Sequence, residues 1–165
     1  MSRRRTAVIL LACALPVLLL MAWLRGMRDK DSRVVDWQRR INRDVMNPRA
    51  LRTAGRPGAD ASVLRHTGRR SGRTHRTPLG LVPVEGGFLV GLVYGPRADW
   101  VQNVLAAGSA VVEHDGEEVE VGSPRVVSLA EVAGQYGPAE LRVMRAFGVE
   151  QCLELRRVPP VPVNG

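Results

Sequence analysis

The densest chemistry in the chain lies in Thr67–Arg73, TGRRSGR. Gly68 and Gly72 permit backbone angles and close approaches that a side chain forbids. Successive N–H groups in such a turn form a nest for an anion. Ser71 adds a hydroxyl donor. Arg69, Arg70, Arg73 and the nearby Arg76 surround the turn with guanidinium forks suited to phosphate or carboxylate. The competing reading of the same residues is an exposed basic turn without a ligand. A nucleotide loop of the Walker kind is excluded by the missing lysine and spacing, and the GxGxxG pattern is absent as well.

The remaining reactive side chains form no conventional constellation. His66, His75 and His114 lack metal-ligand spacing, so no metal site is expected. His66 reads as a strand residue, and His114 adjoins a hairpin turn and is expected to be exposed. Cys13 falls in an apolar leader, and Cys152 in an apolar strand reads as core. The acidic run Glu117, Glu118 and Glu120 reads as a solvated strand face. Tyr94 and Tyr136, the only tyrosines, are the candidate proton donors.

The elements that must position these residues come from hydrophobic period and turn chemistry. Residues 61–158 form one domain of mainly β structure with helices, an α+β, mostly antiparallel arrangement expected to curl into a closed or half-closed barrel. Strands are expected at 62–66, 77–84 and 88–94, with Glu85-Gly86-Gly87 as a hairpin turn. A helix follows over Asp99–Ala107, with Trp100, Val104 and Leu105 on its apolar face and Gly108 ending it. Strands at 110–114 and 118–122 flank Asp115-Gly116, a strong hairpin signal. Ser128 and Glu131 make a capping box, a helix runs from Pro138 to Phe147, and a last strand covers 151–158.

Ahead of the domain, Thr6–Leu24 contains nineteen residues without a charge, close to the roughly 20 that a membrane-spanning helix needs. Residues 1–24 therefore read as an N-terminal transmembrane anchor, and the arginines that closely follow favour a cytoplasmic domain. Residues 25–60 read as an amphipathic helix and linker. Val34, Trp37, Ile41 and Val45 form its stripe, Asn47-Pro48 stops it, and 53–60 connects it to the domain. Residues 159–165 read as a mobile proline-rich tail.

Composition narrows the function classes. A hydrophobic content of 45% excludes a disordered chain, and two cysteines exclude a disulfide framework. Aromatic residues at 4% argue against a base-stacking platform, and no nucleic-acid reader motif is present. The net charge of +8 is uneven: residues 25–76 hold 15 Lys/Arg against 5 Asp/Glu, whereas 77–165 hold 6 against 11. The basic half faces something anionic, either lipid head groups or a small acidic molecule.

Two segments in the right order carry a resemblance. LRHTGRRSGRTHRTPL at 64–79, followed by GGFLVGLVYGPRADWVQNVLAAGSAVVE, resembles the deazaflavin-dependent nitroreductases and quinone reductases of actinobacteria over roughly residues 34–157. The resemblance implies the split β-barrel of flavin-reductase type and coenzyme F420 as cofactor. By the same resemblance, Gly68, Arg69, Arg70, Ser71 and Gly72 hold the cofactor's phosphodiester and glutamate tail, which agrees with the anion-nest reading. Arg76 stands beside His75, where the family carries an arginine. Thr77 and Pro78 would line the deazaflavin ring, with Trp100 and Asn103 near its other side and Tyr94 as proton donor.

Such a cofactor carries the hydride chemistry itself, which accounts for the missing triad. The implied activity is hydride transfer to an electron-poor acceptor, and the apolar leader points to a lipophilic one such as menaquinone. A homodimer paired through the barrel belongs to the same expectation. The rival readings are a flavin- or haem-binding split barrel and a non-enzymatic module that contacts membrane lipid.

Overall fold

The computed structural model describes residues 46–159 continuously and, ahead of them, 18–23, 25, 26, 29 and 33. The expected amphipathic helix, most of the apolar leader and the tail beyond Pro159 lie outside the described residues. Among the described residues no helix is long and apolar enough to cross a membrane, so the expected anchor finds no support there. Within the leader, Leu18, Leu19, Leu20 and Met21 are helical and 54–61% exposed.

Helical structure continues past Pro48 to Ala50. The proline occupies the first turn of α1 (Asn47–Ala50), where its fixed φ suits helix entry and its missing N–H has no partner to lose. The stretch that follows is no free linker. Ala54 is buried, the Gly116 N–H donates to the Gly55 carbonyl at 2.7 Å, and the Gly58 N–H donates to Asp115 Oδ1 at 2.8 Å. These bonds clamp the segment onto the turn of a hairpin, β5 (Ser109–His114) and β6 (Glu117–Ser128).

The other strands are β1 (Ser62–Thr67), β2 (Thr74–Leu79), β3 (Val82–Val84), β4 (Gly87–Gly91) and β7 (Gln151–Arg157). With β5 and β6 they form one seven-stranded antiparallel sheet in the order β2-β1-β5-β6-β7-β4-β3. β6 makes the sheet bend. It pairs with β5 from Glu117 to Gly122 and with β7 from Val121 to Ser128, across a register shift between Gly122 and Arg125 where Ser123 takes a φ of 49°. The result is the expected α+β, curled half-barrel. β2 and β3 are its edges, and each carries a proline (Pro78, Pro83) where proline does least harm to a ladder.

Helix α2 (Asp99–Ala107) closes the concave face. Gly108 ends it in the left-handed region, with its N–H on the Val104 carbonyl at 2.9 Å. The main core joins Val101 and Val104 of this helix to Leu64, Phe88, Val112, Val121, Leu153 and Leu155 of the sheet. A second cluster lies under α3 (Leu129–Val132) and α4 (Pro138–Ala146), where Leu89, Val127, Val132, Tyr136 and Cys152 are buried. Ser128 Oγ accepts from the Glu131 N–H, and Glu131 Oε2 accepts from the Ser128 N–H at 2.8 Å. Loss of this box in Ser128→Ala should lower stability by about 1 kcal/mol in urea unfolding. An unchanged midpoint would show that the box contributes nothing.

Three expectations about the elements are corrected. The single strand expected over 77–84 is two strands on opposite edges of the sheet, because the Leu81 N–H turns back to the Leu79 carbonyl and Leu81 dives into the core. The strand expected to run to Tyr94 ends at Gly91, and a turn closed by the Gly95 N–H on the Leu92 carbonyl carries Tyr94. His114 is half-buried rather than exposed, with its Nδ1 sharing a 2.7 Å hydrogen bond with Ser62 Oγ and its ring edge on Phe88.

Candidate functional site

A cleft of about 1280 Å³ opens between the 68–73 turn, β2, the end of β4, α2 and α4. Its lining includes cationic and polar groups, Arg69, Arg70, Ser71 and His75. It also includes Glu140 and the apolar Trp23, Val143, Met144 and Phe147, with the rings of Trp23 and Phe147 edge to face at 5.7 Å between centroids. Tyr94, Thr77, Pro78 and Trp100 line the cleft as well.

The turn joins β1 to β2 as a hairpin whose strands pair from Ser62–Leu79 to Thr67–Thr74. The Gly68 N–H donates to the Arg73 carbonyl and the Gly72 N–H to the Gly68 carbonyl, both at 2.8 Å. Glycine suits both positions, at Gly72 through its positive φ and at Gly68 because Ser71 and His75 would otherwise have to move. A Cβ on Gly68 would stand 2.6 Å from Ser71 Oγ and 2.8 Å from His75 Nε2, and Gly72 has a φ of 66°. The Arg73 N–H reaches Ser71 Oγ at 3.3 Å and the Arg69 N–H reaches Asn103 Oδ1 at 3.2 Å. The N–H groups of Arg70 and Ser71 are left with no acceptor among the described residues.

The four arginines divide by role. The Arg69 guanidinium donates to Asn103 Oδ1 at 2.8 Å, to the Asp99 carbonyl at 3.3 Å and to Asp99 Oδ1 at 3.0 Å, so it straps the turn to α2. The Arg76 side chain is paired with Glu113 Oε2 at 2.6 Å and lies beside the Arg65–Glu118 pair. Among the described residues the guanidinium groups of Arg70 and Arg73 make no ion pair or hydrogen bond. Both are exposed.

Behind the turn lies a polar chain that sequence reasoning missed. His66 is 4% exposed, its Nε2 is 3.1 Å from Thr77 Oγ1, and its Nδ1 is 3.4 Å from Asn103 Nδ2. Its ring stacks on His75 at 5.6 Å. Burial, helped by the neighbouring His75, pushes its pKa down to about 4. The signal was present in the sequence: His66 alternates with Leu64 on the inward face of a strand, where a polar ring needs partners.

A histidine held neutral in the fold and free to protonate when unfolded contributes stability above pH 6.5, and that contribution is lost as pH falls from 6.5 towards 4. The chain should therefore lose about 2 kcal/mol from this group between pH 7 and pH 5. Urea unfolding of the wild type and His66→Gln at both pH values checks this, and equal pH slopes would exclude it.

Tyr136 lies away from the cleft. Its hydroxyl donates to Cys152 Sγ at 3.4 Å inside the second core cluster, and burial pushes its pKa up. Tyr94 is thus the tyrosine at the cleft. Asn103 is 7% exposed, with its carbonyl oxygen already taken by Arg69. Among the described residues no cluster of three His, Cys, Asp or Glu side chains could hold a metal ion.

The model of the F420H(2)-dependent quinone reductase family matches residues 37–151. No curated protein matches the chain. Similar solved structures include an F420-H2 dependent reductase with a TM-score of 0.46 and 16% identity, covering 59% of this chain and 94% of that one. A domain-swapped dimer has a TM-score of 0.47 and 17% identity over 73% of this chain and 98% of its own. An F420 reductase has a TM-score of 0.41 and 10% identity over 65% of this chain and 91% of its own. These likenesses are distant. The family match spans most of the chain and includes the whole cleft wall from the turn to α4, so the chain belongs to the F420H(2)-dependent quinone reductase family and is a reductase that uses coenzyme F420.

Proposed function

We propose that the chain transfers a hydride from reduced coenzyme F420 to an electron-poor, lipophilic acceptor of the quinone class. One observation carries this reading: a single cleft is lined both by the donors of the 68–71 turn, among them the unpaired Arg70 guanidinium, and by the apolar side chains Trp23, Val143, Met144 and Phe147. The residues fit the cofactor. An acidic tail needs donors that the fold has left free, and the Arg70 and Ser71 N–H groups and the Arg70 and Arg73 guanidiniums are such donors. A flat heteroaromatic ring needs apolar walls, which Thr77, Pro78 and Trp100 supply. When bound, the deazaflavin supplies two-electron hydride chemistry.

The protein's own tasks are then binding, orientation and exclusion of water. Arg69, tied to Asp99 and Asn103, keeps the turn in place without itself being free for the tail. Trp100 and the half-buried Tyr94 pack on the main core and shield the cleft. Reduction of a quinone takes one hydride and one proton, and the Tyr94 hydroxyl is the proposed source of the proton. Tyr94→Phe should lower kcat at least about tenfold with little change in KM, since general-acid contributions commonly reach 10² or more. Wild-type kcat in this variant would remove Tyr94 from that role.

The uncharged run at 6–24 with arginines on both sides supports attachment to a bilayer, the domain on the cytoplasmic side and its apolar cleft near dissolved acceptors such as menaquinone. Fractionation tests this. The full chain should sediment with membranes and a chain starting at residue 25 should not; a soluble full chain would refute the attachment.

A further inference from the structure

We infer that His66 is a positioning residue, a strut that through Asn103 holds Arg69 and the anion-binding turn in register against α2. This rests on the reading of the 68–73 turn as the site of the cofactor's acidic tail.

The direction of every hydrogen bond in the strut follows from one fixed end. An arginine can only donate, and both the Arg69 N–H and its guanidinium point at one oxygen, Asn103 Oδ1, at 3.2 and 2.8 Å. That fixes the Asn103 amide with its NH₂ towards His66. An amide nitrogen has only protons to offer, so His66 Nδ1 must accept. The ring proton is then on Nε2, which donates to Thr77 Oγ1 at 3.1 Å. The strut therefore requires one tautomer of one protonation state: neutral imidazole with the proton on Nε2. It crosses four pieces of the fold, namely β2, β1, α2 and the turn.

Protonation would break it at one defined place. A proton on Nδ1 would face the Asn103 amide protons, and that amide cannot rotate without presenting its protons to Arg69. Burial and the neighbouring His75 disfavour the cation. His75 of β2 stacks on it, and Arg69 is linked to it through Asn103. Arg65 and Glu120 line a small pocket beside it, shared with β5 and β6, but Arg65 is engaged by Glu118. Among the described residues the ring nitrogens bond only to Thr77 and Asn103. Acid would thus release Arg69 and loosen the turn before it unfolds the domain, and tail affinity would fall with it.

Asn103→Asp turns the logic around. A carboxylate accepts from Arg69 on one side and from a protonated Nδ1 on the other, so it satisfies the strut with a charged ring. The experiment follows three signals in the full-length wild type and in Asn103→Asp from pH 7.5 to 3.0. They are the His66 ring nitrogens by NMR, hydrogen exchange of the Arg69 amide corrected for its intrinsic rate, and the affinity for coenzyme F420.

In the wild type the ring should show the Nε2–H tautomer and titrate well below 6.5. As it protonates, Arg69 protection and F420 affinity should each fall about tenfold. In Asn103→Asp the ring should titrate above 6.5, with protection and affinity retained at pH 5. The Nδ1–H tautomer, or Arg69 protection indifferent to the titration of His66, would overturn the strut. Protection that follows the ring while F420 affinity stays flat would instead overturn the turn as tail site, and with it the consequence for binding.

Discussion

Replacing Arg70 and Arg73 together by alanine will weaken coenzyme F420 binding about 30- to 100-fold and leave the unfolding midpoint nearly unchanged. Both guanidiniums are exposed, and neither has a partner among the described residues, so the fold loses nothing when they go. Each charge-assisted hydrogen bond to an acidic tail contributes about 1–1.5 kcal/mol after allowance for solvent screening. Two of them amount to roughly 2–3 kcal/mol, and each 1.4 kcal/mol is tenfold in affinity. The weakening should grow smaller as salt is added, because exposed charges are screened within about 10 Å at 0.1 M. Arg69→Ala makes the control. Its guanidinium holds Asp99 and Asn103, so that variant should lose stability as well as affinity. Equal F420 affinity in wild type and the Arg70/Arg73 double variant would remove the turn from the cofactor site.

The second large effect is on stability. Asn103→Leu keeps the number and branching of the side-chain heavy atoms but removes both ends of a bridge in a site that is 7% exposed. The Arg69 N–H loses its acceptor, the Arg69 guanidinium loses its shortest bond, and buried His66 Nδ1 faces a methyl group. Leaving a buried donor or acceptor unsatisfied costs about 1–3 kcal/mol each, so the variant should be less stable by about 3–5 kcal/mol in urea unfolding. A loss below 1 kcal/mol would mean that water replaces the amide freely and that the polar chain behind the turn is not structural.

Local chemistry explains which parts of this fold were readable. The helix over Asp99–Ala107 and its Gly108 cap, the Asp115-Gly116 hairpin and the Ser128–Glu131 box each depend on residues within a few positions of one another. They occur as expected. The 62–66 strand and the turn after it were legible for the same reason. Long-range pairing was not. That β7 lies between β6 and β4, and that β2 and β3 part at Gly80 to opposite edges, is decided by which apolar faces find each other across the sheet. The 53–60 stretch looks like a linker because the two bonds that hold it to the domain, Gly58 to Asp115 and Gly116 to Gly55, reach a hairpin more than fifty residues away.

The candidate site was legible in its composition and not in its wiring. The glycines and arginines of the turn mark it from sequence alone, yet nothing local says which arginine braces the fold. Arg69 and Arg70 are adjacent in sequence, and only the position of α2 separates the bound guanidinium from the free one. His66 was readable as a strand residue, but its value depends on an asparagine thirty-seven positions on.

The most direct test of the account is the reaction itself. The full chain is mixed with reduced coenzyme F420 and a short-chain naphthoquinone under anaerobic conditions, and the absorbance of the oxidised deazaflavin is followed. The account predicts its return in one-to-one step with quinone loss, saturating in both reactants, faster than without protein, and slower in Tyr94→Phe. Saturable F420 binding with no quinone accelerating its reoxidation above the protein-free rate would contradict the assignment of this cleft to a quinone-class acceptor.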